Sequence, residues 1–246
     1  MCGYVPGTHD LDAAGEAVPR PPAEVLVSFS AERVIDAPEL GDRVLLAIDT
    51  ALGTSVALGV DGRVFEVVSD DARGHAEAIG GLLARVFDFA QTDPSRVGGV
   101  VAGIGPGPFT GLRVGIAAAH AFAAGRSAPL LPLQGHEAVA LAVLEGGAAP
   151  EVRVVQDAKR RELFVTEYSG LDWAGVPVRS ADPRLVPRAV HAPAPFEVWP
   201  ERIPAARLVQ LAARRLAAGG EFEPDRALYL RQPDVFPSAG PKRVTP

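Results

Sequence analysis

Apolar residues gather along this chain in two rhythms. Val44-Leu45-Leu46-Ala47-Ile48-Asp49 is a continuous apolar run closed by an acid, Ser55 to Val60 is a second run across a short turn, and Arg63 to Ser69 is a third. Runs of this length predict buried strands, and the Asp61-Gly62 pair between the last two is a tight-hairpin signal, so the fold opens as an antiparallel meander. From His75 the rhythm changes. Ile79, Leu82, Leu83, Val86 and Phe87 recur at the spacing of one helical stripe, which Gln91 to Ser95 stops. Val97 to Ile104 then predicts a short buried strand, Leu112 to Ala124 an alanine-rich helix closed by Gly125, Pro129 to Leu133 another strand, and His136 to Leu144 a helix.

The order β-β-β-α-β-α-β-α is that of one ribonuclease-H-like lobe, assigned to residues 43–147. Gly146-Gly147-Ala148-Ala149-Pro150 is the best linker. Beyond it, Val152 to Asp157 and Leu163 to Tyr168 predict two strands around the polar turn Ala158 to Glu162. Pro177 to Pro204 is proline-rich with little periodicity, Ala205 to Ala218 predicts a helix ended by Gly219-Gly220, and the chain after Pro224 is expected to be irregular. These make a smaller second lobe, residues 148–228, and a tail, residues 229–246. Residues 1–42, rich in proline and acids, are expected to be a disordered leader or an over-extended translation start, with folded structure beginning near Arg43.

Composition narrows the function classes. Of 246 residues 48% are apolar, enough for a proper core, and the formal net charge of -6 argues against an overall nucleic-acid or anionic-membrane surface. Cys2 is the only cysteine, which excludes an intramolecular disulfide and a cysteine zinc site and fits a reducing, cytoplasmic setting. No signal-peptide pattern and no membrane-length apolar run is present.

Two stretches carry candidate chemistry. Asp49-Thr50-Ala51-Leu52-Gly53-Thr54, at a strand end, is similar to the phosphate hairpin of the actin, hexokinase and Hsp70 superfamily; the alternative is an acid that ends a strand while Thr50 bonds the turn. The second stretch is Gly103-Ile104-Gly105-Pro106-Gly107-Pro108-Phe109-Thr110-Gly111-Leu112-Arg113-Val114-Gly115. Its glycines permit close approach of backbone N–H groups to an anion, but Pro106 and Pro108 cannot donate and no Lys-Ser/Thr pair follows Gly111, so a Walker-type loop is excluded. It reads chiefly as a rigid turn that launches a helix. That helix, through Ala117, Ala118 and Ala121, has small side chains that allow another backbone to approach closely, either a helix of its own chain or a partner's. Asp49 and Asp157 each end a strand at the start of a lobe and could meet at a cleft. The histidines show no metal-binding spacing, and no Gly-x-Ser-x-Gly occurs.

Together "LLAIDTALGTSVALGV", "GIGPGPFTGLRVGIAAAHAFA", "VVQDAKRRELFVTEY" and "YLRQPD" resemble the TsaB (YeaZ) family of tRNA threonylcarbamoyladenosine biosynthesis proteins, over about Arg43 to Tyr168 and again at Tyr229 to Asp234. The resemblance implies an α/β, actin-like two-lobed fold with mixed β-sheets and a shortened second lobe. It implies a non-catalytic subunit that dimerises with the catalytic subunit TsaD, which transfers a threonylcarbamoyl group to the adenosine next to the anticodon. A TsaE-like ATPase would be the third partner, a homodimer would form when the chain is alone, and tRNA would be met only through the complex. The partner-binding residues would be Ile79, Leu82, Leu83, Val86, Arg113, Ala117, Ala118 and Ala121, although the sheet must also be covered by some of them. Asp49, Thr50, Gly105 and Gly107 would be the nucleotide-binding candidates, with ATP and magnesium at a subunit junction and no cofactor in the isolated chain.

The chain departs from the family pattern at Pro108, where a small polar residue is usual, in the turn after Thr50, which is a residue short, and between Asp172 and Pro204. TsaD-like relatives carry a His-x-x-x-His metal pair where this chain has Gln134 and Ala138, and the Gly-Gly pair expected before a second-lobe helix follows one instead, at Gly219-Gly220. Both losses favour a scaffold over an enzyme. The rival readings are an ATP-dependent phosphotransferase using Asp49 and Asp157, a peptidase, which lacks a nucleophile and a metal pair, and a direct tRNA-binding module, disfavoured by the acidic balance and the lack of an aromatic-basic stripe.

Overall fold

The chain builds two mixed sheets, described by a computed structural model over residues 32–69, 75–147 and 149–231. The expected meander is β2 (Leu45–Asp49), β3 (Thr54–Val60) and β4 (Arg63–Ser69), with Asp61 and Gly62 both at positive φ in the hairpin turn. All residues of β2 and β3 are buried, which is why they read as unbroken apolar runs rather than alternations. Helix α1 (His75–Phe89) leads to β5 (Gly99–Gly103), α2 (Phe109–Arg126), β6 (Leu130–Leu133) and α3 (Gly135–Glu145). The β5 and β6 strands extend the sheet in parallel with β2.

The fold starts upstream of Arg43. Strand β1 (Glu32–Asp36) pairs antiparallel with β4, and Ala37 and Leu40 behind it are fully buried, so at least residues 32–42 belong to the first lobe rather than to a leader. Its six-stranded sheet has the order β1-β4-β3-β2-β5-β6. The remainder of the expected leader lies outside the described residues.

The second sheet, in the order β10-β7-β8-β9, comprises β7 (Val152–Asp157), β8 (Glu162–Leu171), β9 (Pro177–Pro187) and the short β10 (Glu197–Val198). The stretch expected to lack periodicity therefore contains an eleven-residue strand, β9. Pro177, Pro183 and Pro187 masked the signal. They are tolerated because β9 lies at the sheet edge, where one row of N–H groups has no ladder to join, and because its register against β8 shifts repeatedly. Helix α2 also begins earlier than Leu112 and runs through Gly125; a left-handed Ser127 ends it, its N–H bonded back to Ala124.

Helices α1 and α2 cover one face of the large sheet; Leu82, Val86, Ala119 and Ala123 pack with Leu46, Ile48 and Val100. Its other face is covered by α4 (Ala205–Ala218), which also packs on α3, and α3 in turn lies on β7 and β8. One apolar core thus runs from Ala47 and Val101 through Leu141, Leu208 and Leu211 to Val154 and Tyr168. The two sheets are joined by packed helices.

Candidate functional site

The Asp49 turn is walled in by the chain's own glycines. Asp49 ends β2; its Oδ1 accepts the Ala51 N–H at 2.8 Å, while Oδ2 is buried without a hydrogen-bond partner. Burial raises its pKa to about 7 despite the Ala51 N–H, which favours the charged form. A Cβ on Gly103 would fall 1.9 Å from Oδ2, and one on Gly135 would meet both Oδ2 at 3.3 Å and Ile203 at 3.1 Å. These glycines make room for the carboxyl and for Ile203, whose carbonyl accepts the Ser55 hydroxyl at 2.7 Å.

Thr50 is spent on the helix it faces. Its Oγ1 donates to Gly111 O at 2.7 Å and accepts from Gly115 N at 3.1 Å. Gly107 lies against Ala51, where a Cβ would come within 2.8 Å of the alanine methyl, and Gly105, at φ 108°, accepts the Gly135 N–H through its carbonyl at 2.8 Å. The glycine-rich stretch and the Asp49 turn are therefore complementary halves of one packed joint. Asp49, Thr50, Gly105 and Gly107 are brought together as expected, but their polar groups and close-approach surfaces meet each other, and the residues present do not fit a metal–nucleotide cradle. Among the described residues no group of three or more histidines, cysteines or acids could hold a metal ion.

The joint continues into the second sheet. Gln156 on β7 donates to Ala51 O at 3.2 Å, and its Oε1 lies 3.1 Å from His136 Nε2; His136 Nδ1 is 2.8 Å from Thr166 Oγ1 on β8. Because Oε1 can only accept, the neutral ring carries its proton on Nε2 and accepts the threonine hydroxyl at Nδ1. Burial holds the His136 pKa down at about 4. Asp157 is the next residue along the strand and faces the other way, half exposed, with Lys159 Nζ at 3.3 Å and Arg188 at 3.4 Å. Asp49 and Asp157 therefore do not form a carboxylate pair. Sequence reasoning missed Gln156 and His136; a histidine in the first turn of a largely apolar helix and a glutamine near a strand's end were the hints.

The expected partner face is divided. Leu82 and Val86 are buried in the core, because α1 must cover β3 and β4, and so are removed from any contact surface. Ile79 and Leu83 are half-buried against the same core. Arg113, Ala117 and Ala121 are exposed along α2, with Ala118 half-buried, and beside them on α1 a Cβ at Gly80 or Gly81 would meet nothing within 4 Å. Phe87 and Phe122 stack at 5.8 Å between the two helices and fix their spacing. The outer face of the pair consequently sets small residues, Gly80, Gly81, Ala117 and Ala121, among charged ones such as Arg85 and Arg113.

Comparison with known proteins agrees with this architecture. Residues 66–175 match the family model described as TsaD, tRNA N6-adenosine threonylcarbamoyltransferase. An uncharacterised protein of Mycobacterium tuberculosis is 34% identical over 207 residues, covering 79% of this chain and 95% of the relative. The tRNA threonylcarbamoyladenosine biosynthesis protein TsaB of Escherichia coli is 30% identical over 152 residues, 60% of this chain and 64% of that protein. The solved structure of YeaZ from Pseudomonas aeruginosa superposes with a TM-score of 0.67 at 25% identity, covering 76% of this chain and all of the other.

The chain is similar in sequence to TsaB proteins and in fold to YeaZ. Its fold is correspondingly the actin-like α/β arrangement. In this chain the Asp49 turn is closed by Gly103, Gly107, Gly115 and Ile203.

Proposed function

We propose that the chain is a non-catalytic subunit in tRNA threonylcarbamoyladenosine biosynthesis, binding a TsaD-type catalytic subunit through the small-residue face of α1 and α2. The observation that carries this reading is the filled joint: Asp49 Oδ2 is shut behind Gly103, Gly135 and Ile203, and Thr50 is committed to Gly111 and Gly115. A carboxylate and hydroxyl so occupied have no room for a phosphate or metal, whereas Ala117, Ala121, Gly80 and Gly81 offer close approach to another helix. The same face pairs two copies when the catalytic subunit is absent, and a TsaE-like ATPase joins the assembly in the cytoplasm. Any ATP and magnesium sit at a junction between subunits rather than inside this chain. No described helix is long and apolar enough to cross a membrane.

Reconstitution tests the reading. The purified chain should neither hydrolyse ATP nor modify tRNA alone, and should be required when added to a TsaD-type subunit, a TsaE-type ATPase and a threonylcarbamoyl donor. Solitary ATP turnover abolished by Asp49→Ala would support the phosphotransferase reading instead.

A further inference from the structure

Away from the Asp49 joint, a cleft of about 370 Å³ opens between the start of α2, the turn from β7 to β8, and residues 229–231. Phe164, almost wholly buried, lines it together with Phe109 and Tyr229, whose ring centres lie 4.6 Å apart at a 32° tilt; Tyr229 is 40% exposed. The Arg113 guanidinium lies 3.8 Å over the Phe109 ring and donates to the Tyr229 hydroxyl at 3.2 Å, which holds the two rings in place. Lys159, Arg160 and Arg231 line the cleft as well, and no carboxylate is among its described lining residues.

The basic side is held in an unusual backbone conformation. Lys159, Arg160 and Arg161 have φ of 60°, 54° and 61°, a left-handed run that costs non-glycine residues about 1–2 kcal/mol each. It is fixed by Asp157 Oδ1 accepting the Lys159 N–H at 2.9 Å, by the Arg188 N–H donating to Arg161 O at 2.8 Å, and by Arg231 reaching Ala158 O at 3.2 Å and pairing with Glu162. Strain of this kind persists only where surrounding bonds enforce it, and the result is a rigid cationic rim facing aromatic rings.

Rings beside fixed cations are the combination that binds unpaired nucleotides: the base stacks and the phosphate is neutralised. Lys159 and Arg160 follow one another along a turn, as a polymer backbone requires; the two carboxylates beside it, Asp157 and Glu162, are bonded to Lys159 and Arg231, and no described group of three or more metal-ligating side chains could hold a metal ion. We propose that this cleft seats one unpaired nucleotide of a single-stranded RNA segment, its base on Phe109 and Tyr229 and its phosphates along Lys159 and Arg160. The sequence shows no aromatic-basic stripe because the elements come from three separate segments. The site is independent of the subunit role above, since RNA contact here needs no second protein.

Fluorescence anisotropy with the full chain and a short labelled oligoribonucleotide tests this. Binding is expected to weaken about tenfold in Tyr229→Ala and to persist in Tyr229→Phe, which keeps the ring. Lys159→Glu should weaken it and lower the slope of log affinity against log salt by about 1, while Arg85→Ala, on α1, should change nothing. Millimolar ATP should fail to displace the RNA. No RNA binding, binding indifferent to loss of the Tyr229 ring, or displacement by micromolar ATP would each overturn the assignment, the last in favour of a free nucleotide. Circular dichroism of Tyr229→Ala guards against misfolding, and an unfolded variant shifts the decision to Lys159→Glu and its salt slope.

Discussion

The Thr50 side chain occupies the space that a Cβ on Gly115 would need: such an atom would fall 2.2 Å from Thr50 Oγ1. The same hydroxyl accepts the Gly115 N–H at 3.1 Å and donates to Gly111 O at 2.7 Å, so it cannot turn aside without abandoning two buried bonds. Gly115→Ala is therefore expected to destabilise the fold by about 1–3 kcal/mol through overpacking. Thr50→Val, which keeps the shape but leaves the two helix groups unpaired, should cost about 1–3 kcal/mol as well. Urea unfolding of the two single variants and the double variant checks the coupling: the double should cost less than the sum, because each change removes what the other needs.

Asp49 gives the protein a pH dependence of definite sign. Its folded pKa of about 7 stands above the ordinary aspartate value of 3.8, so the folded state holds a proton that the unfolded chain releases. The stability this contributes is complete at acid pH and is lost as pH rises from about 4 to 7, by about 4 kcal/mol at most. Asp49→Asn keeps the shape and cannot ionise, so the difference between variant and native protein should grow over that window and level off above it. His136 works in the opposite sense, its pKa lowered from 6.5 to about 4: its contribution is present above pH 6.5 and is lost as pH falls to 4. Unfolding free energies of Asp49→Asn, His136→Gln and the native chain at successive pH values separate the two; a pH-independent difference for Asp49→Asn would contradict a buried carboxyl whose Oδ2 has no hydrogen-bond partner.

Much of the architecture was legible because the strands of the meander are buried on both faces and helices α1 and α4 each carry one apolar stripe. The motifs were legible too, but their meaning was not. Glycines at 103, 107, 111 and 115 signal close approach of something to the backbone, and sequence alone does not say whether that is a phosphate or residues 49–51. Nor does the stripe on α1 distinguish the half that lies on the sheet, Leu82 and Val86, from Gly80 and Gly81 turned outward. The proline-bearing β9 and the short β1 escaped because edge strands need neither a continuous apolar run nor a full ladder.

Strand β1 also holds the charge that completes the α4 cap. Glu66, fully buried on β4, accepts the Ala206 N–H at 2.9 Å in the first turn of α4 and lies 3.2 Å from Arg33 on β1. Burial pushes its pKa up, and Arg33 is the largest influence holding it down. A chain beginning at Arg43 would lose that cation, the edge strand and the packing of Leu40 against α4. It should melt at least about 5 °C below a chain beginning before Glu32, a shift corresponding to roughly 2 kcal/mol or more in a domain of this size. Arg33→Ala in the longer chain should reproduce part of the loss. Equal melting temperatures would show that β1 is dispensable to the fold.

The division of the α1–α2 surface predicts two distinct outcomes from charge insertion. Val86 is fully buried under β3 and β4, so Val86→Asp places an unpaired carboxylate in the core and should leave little folded protein at any concentration. Ala121 is exposed on α2, where Ala121→Glu meets solvent and should leave the melting temperature within a few degrees of native. If this face holds a partner, that glutamate must be desolvated on association, with a penalty of several kcal/mol, enough to weaken binding by two orders of magnitude or more. Light scattering of the isolated chain, and calorimetric titration with a TsaD-type subunit, should both register the loss in Ala121→Glu and in Gly81→Glu, while Lys159→Glu, in the turn between β7 and β8, associates normally. Unaltered association in the two glutamate variants would move the interface off these helices, leaving their small residues to be explained by packing alone.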